Sequence, residues 1–168
     1  MTKTEDASVN RKIAVTLYCG LDKSQLDFRT AYLIFKDLAA DDPVAQGFTG
    51  LMTYLGDGTA QYPETGRQVL REVKKELLHR AAQEPEAAAL LGWAGTAAAL
   101  TLDDWTPVVT ALRQDARSGD PLPRRVLAGM YSDGLGVRKH SGHARTLLVQ
   151  AAAGGDALAQ DRLGLMYS

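Results

Sequence analysis

The sequence predicts an all-α fold: a short α-solenoid of about four irregular helix–turn–helix hairpins ending on an unpaired helix. Three observations carry that prediction. The phrase LAGMYS at 127–132 returns as LGLMYS at 163–168, and Leu91-Gly92, Leu127-Ala128 and Leu163-Gly164 stand at successive steps of 36 residues. A fixed period of this length marks stacked supersecondary units. Apolar residues recur at helical spacing, and no window alternates with period two, so no sheet is expected. Breaks rich in Gly, Pro or Asp separate the helical stretches, at GLDK, DDP, GDGTAQYP, SGDPLP, SDGLGV and AGGD.

The elements follow in order. A degenerate hairpin is expected over 8–40, where Ser24 and Asp27 form a capping-box-like start and Phe28, Ala31, Tyr32, Phe35 and Leu38 turn inward. The next unit, 44–82, contains Met52 followed at four and six residues by Gly56 and Gly58, as Met130 is by Gly134 and Gly136. Its second helix buries Leu70, Val73, Leu77 and Ala81, with Glu72–Lys75 and Glu76–Arg80 supporting the outer face. The unit 86–117 carries the stripe Trp105, Val108, Val109, Leu112 and Ala116, with Thr106 expected as the cap and Pro107 in first position. Unit 122–153 carries Ala144, Leu147, Leu148, Ala151 and Ala152 on one face, and 157–168 is a half-repeat. Small residues at 92, 128 and 164 are expected to let neighbouring helices approach closely.

Composition limits the function. With 168 residues and 45% apolar content, the chain can build one domain with a real core. No apolar run reaches signal-peptide or membrane-span length, so a cytoplasmic location is expected. Residues 1–112 carry 11 basic and 15 acidic groups, and residues 113–168 carry 8 and 5, an asymmetry suited to a partner of uneven charge. It is too weak for a nucleic-acid interface. Cys19, the one cysteine, reads as a small buried hydrophobe.

The stretch RRVLAGMYSDGLGV…HARTLLVQAAAGGDALAQDRLGLMYS resembles the Sel-one-like repeat family, helical hairpins akin to tetratricopeptide repeats. The matching residues are Leu127, Ala128, Met130, Tyr131, Gly134, Gly136, Val137, Ala144, Leu148, Ala151, Ala152, Gly155 and Ala159, then Leu163, Gly164, Met166 and Tyr167. AQGFTGLM with GDG matches less fully, EPEAAALLGWAGTAAAL mainly by register. The resemblance implies a right-handed superhelix and a non-enzymatic module that binds another protein. A bacterial adaptor or regulator is expected, with an immunity protein that neutralises a cognate secreted toxin as the alternative and a hydrolase as the third reading.

Chemical motifs point the same way. No phosphate loop, zinc-protease or nucleophile-elbow motif is present. Some proteins with this repeat have been assigned β-lactamase activity, but none of Ser8, Ser24, Ser118, Ser132, Ser141 or Ser168 opens an S-x-x-K. His79, His140 and His143 lack partners at metal-ligand spacing, so no metal, cofactor or catalytic group is expected. The concave surface, built from the first helix of each hairpin, offers Gln46, Thr49, Thr53, Glu86, Trp93, Arg124, Arg125, Asp133, Asp161 and Arg162 as partner contacts. Trp93 reads first as core and second as an anchor for a bound segment. At the end, Leu158 and Leu165, seven apart, are expected to form an apolar strip covered by a second copy, as a homodimer, or by the partner.

Overall fold

The computed structural model describes residues 2–21 and 25–168. Among the described residues there are nine helices and no strand: α1 (Lys3–Cys19), α2 (Phe28–Leu38), α3 (Pro43–Leu55), α4 (Pro63–Arg80), α5 (Pro85–Ala97), α6 (Thr106–Arg117), α7 (Pro121–Asp133), α8 (Ser141–Ala153) and α9 (Ala157–Tyr167). Consecutive helices pack together, and α3, α5 and α7 also pack side by side. The molecule is therefore a helical-repeat solenoid, as expected.

The sequence signals at the helix starts act as capping predicts. Asp42 precedes Pro43 and accepts from the Val44 N–H at 2.9 Å; Asp120 precedes Pro121 and accepts from Leu122 at 3.1 Å. Asp27 caps α2 through the Thr30 N–H at 3.0 Å, while Ser24 lies outside the described residues. At α6 the expectation needs correction. Thr106 is the first helical residue rather than the cap, and its N–H donates to Asp104 Oδ1 at 2.9 Å. Pro107 then stands second, where its missing N–H still costs no intrahelical bond. Of the two expected pairs on α4, Glu76–Arg80 forms at 3.0 Å, whereas Glu72 accepts from Gln68 instead.

The repeat is visible as a repeated turn. Both α3 and α7 end with a glycine in the left-handed region, Gly56 at φ 77° and Gly134 at φ 72°, each donating to the carbonyl of the methionine four residues back. The following residue donates to the same carbonyl, and a second left-handed glycine, Gly58 or Gly136, turns the chain into the next helix. Only glycine takes this path without strain. Two Met-x3-Gly-x-Gly stretches thus give two hairpins the same corner.

The core runs along the stack. Phe35 stacks on Phe48 at 4.6 Å, and Leu51, Leu70, Leu77, Leu90, Leu91, Leu112 and Met130 are fully buried. Gly92 sits where α5 meets the next hairpin, and a Cβ there would lie 2.6 Å from Val126 Cγ1. Ala128 is buried too. Gly164 departs from the expected close approach: a Cβ there would meet nothing within 4 Å.

Candidate partner-binding face

Helix α1 turns one stripe toward the array. Arg11, Ala14, Val15 and Tyr18 follow the i, i+3, i+4, i+7 rule, with Cys19 beside them. Ala14, Tyr18 and Cys19 are fully buried. The Arg11 guanidinium contacts three carboxylates: Asp42 at 2.8 Å, Glu84 at 3.1 Å and Glu86 at 2.7 Å. Asp42 caps α3, Glu84 occupies the cap position of α5 and Glu86 lies in its first turn, where helix dipoles favour negative charge. Burial works against the charge on Arg11, but Glu86 and Asp42 outweigh it and raise its pKa. Burial also raises the Glu86 carboxyl, against the pull of Arg11. The cluster is a desolvated charge set spanning the starts of two hairpins.

Two turns further along α1 lies an aromatic box. The Tyr18 ring sits 4.8 Å from Trp93, 5.3 Å from Phe28 and 6.4 Å from Phe48, and its hydroxyl donates to Asp57 Oδ2 at 2.6 Å. Beyond it, the Arg125 guanidinium lies 4.3 Å over the Trp93 ring and pairs with Asp156 at 2.8 Å. Arg125 also donates to Cys19 Sγ at 3.4 Å. Burial pushes the Cys19 thiol up to about 12 despite that donor. Gly20, at φ 66°, lets α1 end against the start of α9; a Cβ there would stand 2.6 Å from Ala157 Cβ.

The structure brings four of the sequence-named residues together. Trp93, Arg125, Asp133 and Arg162 line one small cleft of about 70 Å³ between α5, α7 and α9, with Thr96, Val126 and Gly129. Arg125, however, is 6% exposed and engaged on every side, so it supports this face from beneath rather than meeting solvent. Glu86 is likewise held by Arg11. On α3, Gln46, Thr49 and Thr53 are half-buried, and the Thr49 hydroxyl donates to the Gln46 carbonyl at 2.6 Å. Arg124 lies apart from these, lining a cleft of about 400 Å³ with Arg113, Arg117, Tyr131 and His143. Asp161 and Arg162 are exposed on α9. Leu158 is half-buried, so the expected Leu158–Leu165 strip does not form; the exposed large apolar groups of α9 are Leu165, Met166 and Tyr167.

Sequence reasoning missed Arg11, Tyr18 and Asp57, and took Asp42 only as part of the DDP break. The helical stripe Arg-x2-Ala-Val-x2-Tyr-Cys was the available signal, but its charged end disguised it as surface. Among the described residues no group of three or more His, Cys, Asp or Glu could hold a metal ion, and no helix is long and apolar enough to cross a membrane.

Fold and face together define a helical-repeat solenoid with one side held against α1. No protein-family model matches the chain, and no curated protein matches it. Among solved structures it is similar to a Sel1 repeat protein from Oxalobacter formigenes, at 24% identity and TM-score 0.42 over 96% of this chain and 63% of that one. It is also similar to a protective antigen of uropathogenic Escherichia coli strains displaying an SLR fold, at 20% identity and TM-score 0.40 over 98% of this chain and 42% of that one. The chain thus spans less than two thirds of the length of either structure.

Proposed function

We propose that this chain is a non-enzymatic protein–protein interaction module, a bacterial adaptor or regulator acting in the cytoplasm. The observation that carries the reading is the inner face itself. Asp42, Glu84 and Glu86 stand at one end, Phe48 and Trp93 in the middle, and Arg125 over its buried partner Asp156 at the other, spread over successive hairpins and engaged by one helix, α1. Such an ordered series of charge, aromatic and charge recognises an extended helical surface rather than a small molecule. The exposed rim of the same face includes Asp133 and Arg162. Reversing both, as Asp133→Lys with Arg162→Glu, is expected to weaken capture of the cellular partner at least about tenfold, a loss of about 1.4 kcal/mol, with the circular dichroism spectrum unchanged. Undiminished capture by the folded double variant would remove this face from the reading.

An immunity protein would use the same face on a toxin, and the identity of the captured partner separates the two roles. The third, enzymatic reading requires turnover by purified protein that is lost on changing a polar cleft residue. A second contact is proposed at the exposed Leu165, Met166 and Tyr167, for another copy or for the partner. Leu165→Glu is expected to lower a dimeric solution mass to monomer or to abolish partner binding with the fold retained. A monomeric wild type whose partner ignores that substitution would discard the contact.

A further inference from the structure

The face assigned above to a partner is occupied by α1, and α1 is built like a guest. Its inward residues occupy the i, i+3, i+4, i+7 and i+8 positions by which an amphipathic helix reads a groove. Its extensive backbone packing is on α2, whereas α5 packs on both α3 and α7. It reaches α3, α5 and α7 through side chains, Arg11 to Asp42, Glu84 and Glu86, Tyr18 to Asp57 and Trp93, and Cys19 to Arg125, while its C-cap Gly20 brings the backbone itself against Ala157 at the start of α9. Its outer side leaves Val9 and Ile13 about half exposed, at 50% and 47%, while Ala87–Gly92 of α5 is buried without a break. Leu70, Leu77, Leu90, Leu91, Leu112 and Met130 come from other helices, and α1 joins the same core through Ala14, Val15, Tyr18 and Cys19 on its inward stripe alone.

We infer that α1 is a built-in, displaceable ligand of the inner face, and that the face's external partner is an amphipathic helix of the same chemistry. That partner presents a cation to the three carboxylates, small residues three and four positions on, an aromatic hydroxyl at the seventh and a small residue at the eighth. The inference rests on the partner reading above and adds to it the ligand's chemistry and a competitor in cis. A helix carrying these groups replaces every polar contact that α1 gives up, so exchange leaves no buried carboxylate, guanidinium or aromatic pocket unfilled. The tether keeps α1 at an effective concentration on the order of millimolar. Partners lacking the cation or the aromatic are thereby excluded.

Cys19 supplies the readout, since a fully buried thiol reacts only when α1 leaves the groove. The wild-type full chain is mixed with a thiol reagent and a synthetic peptide of residues 2–21 carrying Cys19→Ser. The labelling rate is expected to rise with peptide, by about tenfold at several-millimolar concentration. The same peptide carrying Arg11→Glu and Tyr18→Ala is expected to leave the rate unchanged. No acceleration by the first peptide, or equal acceleration by both, overturns the inference. Failure here leaves the partner reading to its own test at Asp133 and Arg162. Conversely, an unaffected partner in that test, with peptide-driven labelling intact, strikes the reading and leaves the displacement of α1 standing.

Discussion

Arg125 shows how much a single residue depends on what surrounds it. Its neighbour Arg124 points to a different cleft, because adjacent helical positions diverge by about 100°. Two consecutive arginines read in sequence as one basic patch, yet one is half-buried at a surface cleft and the other is core. Breaking a buried pair by removing one partner costs about 3–5 kcal/mol, because the survivor is left charged without water or a counter-ion. Asp156→Ala is therefore expected to destabilise the chain by about that much, the more so because Asp156 also caps α9 through the Ala159 N–H at 3.0 Å. Urea titration measures it, and a loss below about 1 kcal/mol would mean that the pair is solvated. Cys19 gives a pH signature. Its thiol is raised from the ordinary 9.0 to about 12 by burial, so the neutral form is favoured by folding. That contribution is intact below pH 9 and is lost as pH rises through 12. Burial raises Tyr18 in the same direction. Stability should therefore fall above pH 9, and Cys19→Ala should flatten part of that fall; an identical slope in the variant would place the thiol in water.

Helices were the most legible elements, because period and caps agree along most of the chain. Asp-Pro at 42–43 and 120–121 and the paired turn glycines mark starts and stops that local chemistry alone enforces. The α6 start lies one residue earlier than expected, since Asp104 accepts from the N–H of Thr106 itself and so draws Thr106 into the first turn instead of leaving it as the cap. What periodicity leaves open is whether a small residue at a repeat position has a neighbour. Gly92 and Gly164 hold equivalent places in the sequence and opposite ones in space. Gly92→Ala is expected to overpack against Val126, costing about 1–3 kcal/mol. Gly164→Ala meets nothing and is expected to stabilise α9 by up to about 1 kcal/mol through helix propensity. Thermal or chemical unfolding of the two variants checks both, and equal effects would contradict the stacking. Helix α1 was the least legible element. Its inward stripe mixes Arg, Ala, Val, Tyr and Cys, a pattern that no apolar count separates from a solvated surface.

Across the whole molecule, local signals established the array and long-range pairs shaped its inner face. Nearest-neighbour packing is written into a 36-residue period, as a one-dimensional stack requires. The bonds from Arg11 to Glu86 and from Cys19 to Arg125 join residues 75 and 106 positions apart, and no periodic pattern encodes them. The expected split of charge between the two parts of the chain is accordingly a poor guide to the face, where carboxylates and guanidinium come from both. An array whose first helix joins the common core by one stripe, Ala14, Val15, Tyr18 and Cys19, and leaves Val9 and Ile13 half exposed should open in two steps rather than one. Residue-resolved hydrogen exchange on the wild-type chain tests this most directly. The account predicts that α1 amides exchange through a local opening well below the global unfolding free energy, while amides of α5 and α7 exchange only with global unfolding. Protection of α1 equal to that of α5 and α7 would contradict it, and would make α1 part of the stack.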